Sequence, residues 1–145
     1  MQIFRRRRWP KGDWLAFAEA LVVLWVVRIA LALMNWKRIQ RLTVALVRRL
    51  APYPDNGTPE SDAKLGRAIR RAALFVPGAK CLAQATAAMI ITGRRGMRSR
   101  MTIGVKLGSL EAFGAHAWLE TPNGVPVGGA EAVEFAPLMT VDPYA

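Results

Sequence analysis

The chain has 145 residues and a net charge of +11, from 21 basic and 10 acidic residues. That length fits one domain with a single buried core, and a hydrophobic content of 52% excludes wholesale disorder. One cysteine excludes a disulfide framework and a multi-cysteine zinc site, so we expect no metal and no cofactor. A lone thiol favours a reducing, cytoplasmic location.

The basic excess favours an anionic partner, which can be nucleic acid, lipid head groups or an acidic peptide. Basic residues cluster at Arg5–Arg8, along the segments that follow, and between Arg94 and Arg100. Neither an RNA-binding motif with its aromatic residues nor zinc-finger spacing accompanies these clusters. We therefore expect no nucleic-acid partner.

The first predicted element is an apolar helix from Trp14 to Met34, in which Glu19 and Arg28 are the only charges. Its length would span a bilayer, but each charge costs about 2.5–3.5 kcal/mol at the membrane centre. Basic residues flank both ends, so neither orientation is favoured. We interpret the segment as a largely buried helix with two partnered charges, and keep membrane association, as an anchor or by peripheral contact, as the alternative.

Two further helices are predicted before the middle of the chain. Residues 35–50 have apolar residues at helical spacing opposed by basic residues, which predicts an amphipathic helix. The loop at 51–61 is rich in proline and contains Asn-Gly. A third helix is predicted from Ser61 or Asp62, as its cap, through about Phe75, and Pro77-Gly78 ends it. The predicted apolar stripe of the second helix comprises Trp36, Ile39, Leu42 or Thr43, Leu46 and Leu50.

The second half of the chain predicts one more helix and then a sheet. Residues 81–92 are alanine-rich and helical, and strands are predicted at 101–107, 114–121 and 125–127, with a tight hairpin at Pro122-Asn123-Gly124. Helices followed by an antiparallel sheet indicate an α+β domain. We expect residues 1–55 to form an N-terminal helical region and residues 56–145 to form the core.

The only cysteine and the only histidine make a candidate catalytic couple. Cys81 falls in the first turn of a predicted helix, where amide N–H groups and the helix dipole stabilise a thiolate and can bind an oxyanion. His116 lies on a predicted strand that can present its imidazole to the sulfur as a base. The alternative is a small buried cysteine and an unrelated core histidine.

The sequence around this couple resembles the lasso-peptide leader peptidases known as B2 proteins. The resemblance lies in "KCLAQATAAMIITGRRGMRSRMTIGVKL", in "AHAWLE" and in the closing "FAPL", and it covers residues 78–138. The family belongs to the transglutaminase-like superfamily. The resemblance implies a transglutaminase-like or papain-like core in which a catalytic helix packs on a small antiparallel sheet.

The function that the resemblance implies is removal of the leader from a ribosomally made lasso-peptide precursor. Cys81 would attack the scissile carbonyl, and His116 would take the thiol proton and later protonate the leaving amine. The implied partners are the precursor's leader peptide, a separate leader-recognition protein called B1, and an ATP-dependent lasso cyclase. Trp118 and Gln84 would lie near this site, although core packing explains them equally well.

The third catalytic residue is the point at which the sequence departs from the family. The position expected to carry an acid is Gly129, and the nearest carboxylates are Glu131, Glu134 and Glu120. We expect Glu131 to orient His116, with Glu134, Glu120, a backbone carbonyl or no third group as the alternatives. The missing acid also motivates a competing hypothesis, a catalytically degenerate basic scaffold that binds the precursor or partner proteins.

Overall fold

The computed structural model describes residues 11–106, 114–132 and 134–145, which form an α+β domain as predicted. The Arg5–Arg8 run and Leu107, the expected end of the first strand, lie outside the described residues. The elements are α1 (Lys11–Leu33), α2 (Trp36–Leu50), α3 (Pro59–Ala73), α4 (Cys81–Arg94), β1 (Arg100–Val105), β2 (Ala115–Thr121), β3 (Gly124–Val127), α5 (Gly129–Ala132) and β4 (Ala136–Val141).

Side-chain caps fix where α2 and α3 begin. The side chain of Asn35 accepts a hydrogen bond of 2.9 Å from the Arg38 amide, which caps α2. Thr58 and Ser61 form a reciprocal capping box at α3, with Pro59 in the first helical position. The predicted cap at Ser61 or Asp62 is therefore wrong by three residues or more, because Ser61 is the second partner of the box.

Helix α4 lies at the centre of the core, where it contacts α1, α2, α3 and β2. Its alanines and glycine allow neighbouring elements to come close. Val47 of α2 lies against Gly93 of α4. A Cβ atom on Gly93 would be only 3.0 Å from the Val47 side chain. Leu24, Leu65 and Ile69 are fully buried in the same cluster, and each contributes about 1.5–3 kcal/mol to the stability of the fold.

The sheet has the strand order β3-β2-β1-β4 and is antiparallel throughout. In the β1–β2 ladder Gly104 faces His116 and Thr102 faces Trp118. The three predicted strands are present, and β4 is a fourth strand that the sequence did not reveal. Pro137 lies within β4, and a proline is tolerated there because β4 is at the edge of the sheet.

The prediction that α1 is largely buried is wrong, and the predicted apolar stripe of α2 is confirmed only at Ile39, Thr43 and the partly buried Trp36. Only 22% of the apolar stretch in α1 is buried, although its charges are partnered as expected. By length and composition, α1 is long and apolar enough to cross a membrane. The buried residues of α2 are Ile39, Thr43 and Val47, a line with a spacing of four that faces α4. Leu42, Leu46 and Leu50 are exposed instead.

Candidate active site

A cleft of about 380 Å³ lies where α3, the start of α4 and the β2–β3 hairpin meet. Both Cys81 and His116 line this cleft, although they are 35 residues apart in the sequence. Gln84 lines it as well, as expected, but Trp118 is buried behind His116. The fold therefore brings the two candidate catalytic side chains to one cavity.

Cys81 is the first residue of α4, and the turn before it determines that position. Gly78 adopts a φ of +76°, and the Lys80 amide donates to the Gly78 carbonyl at 2.9 Å. The Gln84 side chain donates to the Ala79 carbonyl at 2.9 Å and ties this turn to the helix. Lys80 provides no side-chain cap. The first-turn amides beside the free, half-buried thiol can therefore bind an anion.

His116 lies on β2 and contacts two aromatic rings, those of Trp118 and Phe135. It is only 6% exposed, and its ring centre lies 5.9 Å from that of Trp118, in a stacked arrangement, and 5.1 Å from that of Phe135. A Cβ atom on Gly104 would come within 2.8 Å of the Trp118 ring. Gly104 thus makes room for Trp118, and Trp118 in turn fixes the plane of the imidazole.

A backbone carbonyl sets the tautomer of His116. The Nε2 atom lies 2.9 Å from the carbonyl oxygen of Gly128. Since a carbonyl only accepts hydrogen bonds, Nε2 carries the proton of the neutral ring, which makes Nδ1 the basic nitrogen. Gly128 has a φ of +78°, and a Cβ atom there would lie 3.1 Å from Nε2 and 2.9 Å from the Ala117 carbonyl. Only glycine fits this turn without displacing the ring.

The three candidate acids lie in different surroundings. Glu120 accepts hydrogen bonds from Trp118 at 2.9 Å and from Arg100 at 2.6 Å. Glu134 is exposed and pairs with Lys106 at 3.8 Å. Neither arrangement is that of an acid orienting His116. Glu131 lies in α5, one turn after Gly128, and its side chain is outside the described residues, so its predicted role stays a prediction.

Glu120 instead belongs to a structural ion pair. Burial raises the pKa of its carboxyl, but the hydrogen bonds from Trp118 and Arg100, together with the charge of Arg100, outweigh this, so the pKa lies below its ordinary value. The same contacts raise the pKa of Arg100. Because Trp118 stacks on His116, Glu120 acts on the site only through the position of that indole.

Arg70 brings a positive charge to the cleft. It projects from α3 and is the one charged side chain, besides a protonated His116, among the described residues that line the cavity. Gly66, one turn earlier, brings α3 against the Pro126 carbonyl of β3, where a Cβ atom would be only 2.6 Å away. This close contact fixes α3, and with it Arg70, at the wall of the cleft, where the guanidinium can bind a carbonyl or carboxylate oxygen.

Sequence reasoning missed Arg70 and Phe135, and it offered a backbone carbonyl as an alternative without identifying that of Gly128. Arg70 was one of many arginines on a predicted helix face, and nothing in the pattern linked it to Cys81. The adjacent glycines at 128 and 129 were the available signal for the Gly128 carbonyl, because glycine permits the positive φ of the turn that presents it. Among the described residues, no group of three or more His, Cys, Asp or Glu side chains is placed to hold a metal ion.

Comparison with known proteins gives one match. The family model described as the transglutaminase-like superfamily matches residues 21–140, which is most of the chain and includes α2, α3, α4 and the sheet. No curated protein and no solved structure matches the chain.

Proposed function

Because this chain belongs to the transglutaminase-like superfamily, which includes cysteine peptidases, we propose that it is a cysteine peptidase. Its substrate is the precursor of a lasso peptide, from which it removes the leader. The observation that carries the proposal is the shared cleft, in which Cys81 at a helix start and His116 on a strand line the same cavity. The sequence resemblance around these two residues supports the choice of substrate.

The proposed reaction begins with transfer of the Cys81 thiol proton to His116 Nδ1. The sulfur then forms a bond to the scissile carbonyl carbon, and the carbonyl oxygen becomes an oxyanion beside the first-turn amides of α4. When the oxyanion collapses, the C–N bond breaks and His116 gives its proton to the leaving amine of the core peptide. Water, deprotonated by the same imidazole, releases the leader from the thioester as a carboxylate.

The geometry of this step depends on substrate binding. Proton transfer needs a hydrogen bond of about 2.6–3.2 Å, and such bonds are commonly long in ligand-free enzymes and tighten in the complex. The rings of Trp118 and Phe135 hold the imidazole plane. The Gly128 carbonyl holds Nε2–H, which leaves Nδ1 as the base. In this proposal the backbone carbonyl stabilises the imidazolium, and Glu131 adds to it if its carboxylate reaches the ring.

Arg70 supports the binding side of the proposal. In a cleft whose other described lining residues are mostly glycine and aliphatic, a guanidinium offers directed donors to backbone carbonyls or to an acidic side chain of the leader. The proposed partners are those that the resemblance implies, the B1 recognition protein and the ATP-dependent cyclase.

The test is cleavage of the precursor in the presence of its recognition partner, with the products weighed. The wild type is expected to give the leader with a new C-terminal carboxylate and the free core. Cys81→Ala and His116→Ala should each abolish this cleavage while remaining folded. Tyr53→Ala, at a side chain that is 95% exposed in the loop before α3, serves as the matched control.

Three outcomes contradict the proposal. Full cleavage by Cys81→Ala removes the nucleophile from the account. A product in which the leader is joined to an added amine identifies a transferase rather than a peptidase. Intact precursor with the wild type, together with tight precursor binding and a Cys81 that resists alkylation, supports the basic scaffold instead.

A further inference from the structure

Between Leu15 and Leu33, one face of α1 is exposed and entirely apolar. At 100° per residue, its exposed side chains fall within an arc of roughly 120°, a third of the helix circumference. Trp25 is 40% exposed, Val26 is 61% exposed and Leu33 is 78% exposed. This outer stripe consists of Leu15, Ala18, Val22, Trp25, Val26, Ile29, Ala32 and Leu33.

The described charged side chains of α1, from Asp13 onward, lie outside the outer stripe and pair with groups of the rest of the domain. Asp13 lies within 3.8 Å of arginines on α3, and Glu19 pairs with Arg94 and Arg95 at the end of α4. The Arg28 side chain donates to the Pro77 carbonyl at 3.1 Å. A helix that faced water would show the opposite pattern, with its charges outward and its apolar residues inward.

The inner side of α1 is packed into the core and cannot leave it without unfolding the domain. Ala16, Ala20, Leu24 and Val27 are each less than 5% exposed and belong to the main cluster with α3 and α4. A transmembrane position would also take three charges into lipid. The helix is therefore suited to lie parallel to an apolar boundary, with its outer stripe immersed and its inner side on the domain.

We propose that the outer stripe of α1 binds the surface of an anionic lipid bilayer, with the helix in the membrane plane. An in-plane helix of this kind combines an immersed apolar face containing Trp with nearby basic residues. The chain supplies these as a net charge of +11, the Arg5–Arg8 run directly before α1, and exposed basic residues on α2. This inference stands independently of the proposed peptidase activity.

The size of the stripe favours a bilayer over a protein partner. The stripe runs from Leu15 to Leu33 and is about 28 Å long, so with a face about 10 Å wide it offers roughly 280 Å². A stable protein interface buries about 800 Å² on each partner, so this face alone is too small for one. A bilayer needs no complementary shape, and its binding strength follows the apolar area and the charge.

The test is flotation of the full-length chain with phosphatidylcholine vesicles, with and without phosphatidylglycerol. Binding is expected with phosphatidylglycerol and should weaken at about 0.5 M salt, where surface charges are screened. The double variant Val22→Asp/Val26→Asp should partition roughly 100-fold more weakly, because it places two charges in the immersed face. The matched control is Leu138→Asp, at an equally exposed leucine on β4, which should bind as the wild type does.

Sedimentation velocity without lipid completes the experiment. The chain is expected to be monomeric, with the same fold in both variants. A dimer that the double variant dissociates assigns the stripe to a second copy and overturns the proposal. So does the absence of binding to either vesicle, or binding that the double variant retains, since basic residues alone would then explain the attraction.

Discussion

Replacing Gly128 with alanine is expected to slow leader removal strongly, because the residue supports His116 through its carbonyl. Two costs follow from the structure. Its φ of +78° is unfavourable for alanine by about 1–2 kcal/mol. The new Cβ atom would also lie 2.9 Å from the Ala117 carbonyl and 3.1 Å from His116 Nε2, so the turn must shift by several tenths of an ångström.

That shift weakens the hydrogen bond between Nε2 and the Gly128 carbonyl. A hydrogen bond to a charged group is worth about 1.5–3 kcal/mol, and this bond is charged whenever His116 holds the thiol proton. We therefore expect a fall in kcat of roughly 10-fold to 100-fold, with KM changing less. Stability should fall by about 1–2 kcal/mol from the backbone strain alone.

Gly96→Ala is the matched control for this prediction. Gly96 has a φ of +73°, and nothing lies within 4 Å of a Cβ atom placed there. It carries the same backbone strain without touching His116. The assays are steady-state cleavage of the precursor, urea unfolding, and the ring ¹⁵N shifts of the single histidine, which report its tautomer. If Gly128→Ala cleaves as fast as Gly96→Ala and keeps the Nε2–H tautomer, the carbonyl has no role in orientation.

Three other changes test separate parts of the account. Glu131→Gln should lower the cleavage rate with little loss of stability if Glu131 orients His116, whereas unchanged cleavage assigns the orienting role to the Gly128 carbonyl. Glu120→Gln should reduce the amount by which the free energy of unfolding, measured in urea, falls as the pH is lowered. The pKa of Glu120 is lowered in the folded state from its ordinary value of 4.5. The stability that its carboxylate contributes is therefore present above the ordinary pKa and is lost as the pH falls through the lowered one. Equal dependence of stability on pH in the wild type and in Glu120→Gln would argue against this. Arg70→Ala should raise KM several-fold with little change in kcat, and Arg41→Ala on α2 should leave both unchanged.

The sequence predicts elements whose signals are local. Three such signals are Asn35 at the start of α2, Pro77-Gly78 between α3 and α4, and the Asn-Gly turn of the β2–β3 hairpin. The strand β4 was missed because its signal is not local. Pro137 counts against a strand in isolation, and only the pairing with β1 shows that it lies at an edge.

Burial was harder to predict than secondary structure. The sequence of α1 showed that Glu19 and Arg28 needed partners, but not that the end of α4 and the Pro77 carbonyl would provide them. In the same way, a helical wheel of α2 does not show that Gly93 of α4 selects Val47 over Leu46. Such choices depend on which neighbour leaves room, and a single sequence does not contain that information.

In the candidate site, too, local signals could be predicted from the sequence and tertiary neighbours could not. Cys81 and His116 could be proposed from the sequence because each is the only residue of its type and each lies at a telling position. The acceptor for His116 Nε2 could not, because it is a main-chain oxygen, and its position depends on a glycine turn and on the β2–β3 pairing. The sequence favoured a carboxylate as the third member of the site and a backbone carbonyl only as an alternative, while the structure places the Gly128 carbonyl against the ring.

The most direct test of the central claim is the mass of the intact chain during its first turnover. Precursor, recognition partner and wild-type chain are mixed, and the reaction is quenched in acid after short intervals. We predict a transient mass increase equal to the leader minus water, located on Cys81 by peptide mapping and absent from Cys81→Ala. A leader adduct on another residue, or release of the leader by Cys81→Ala, would contradict the account.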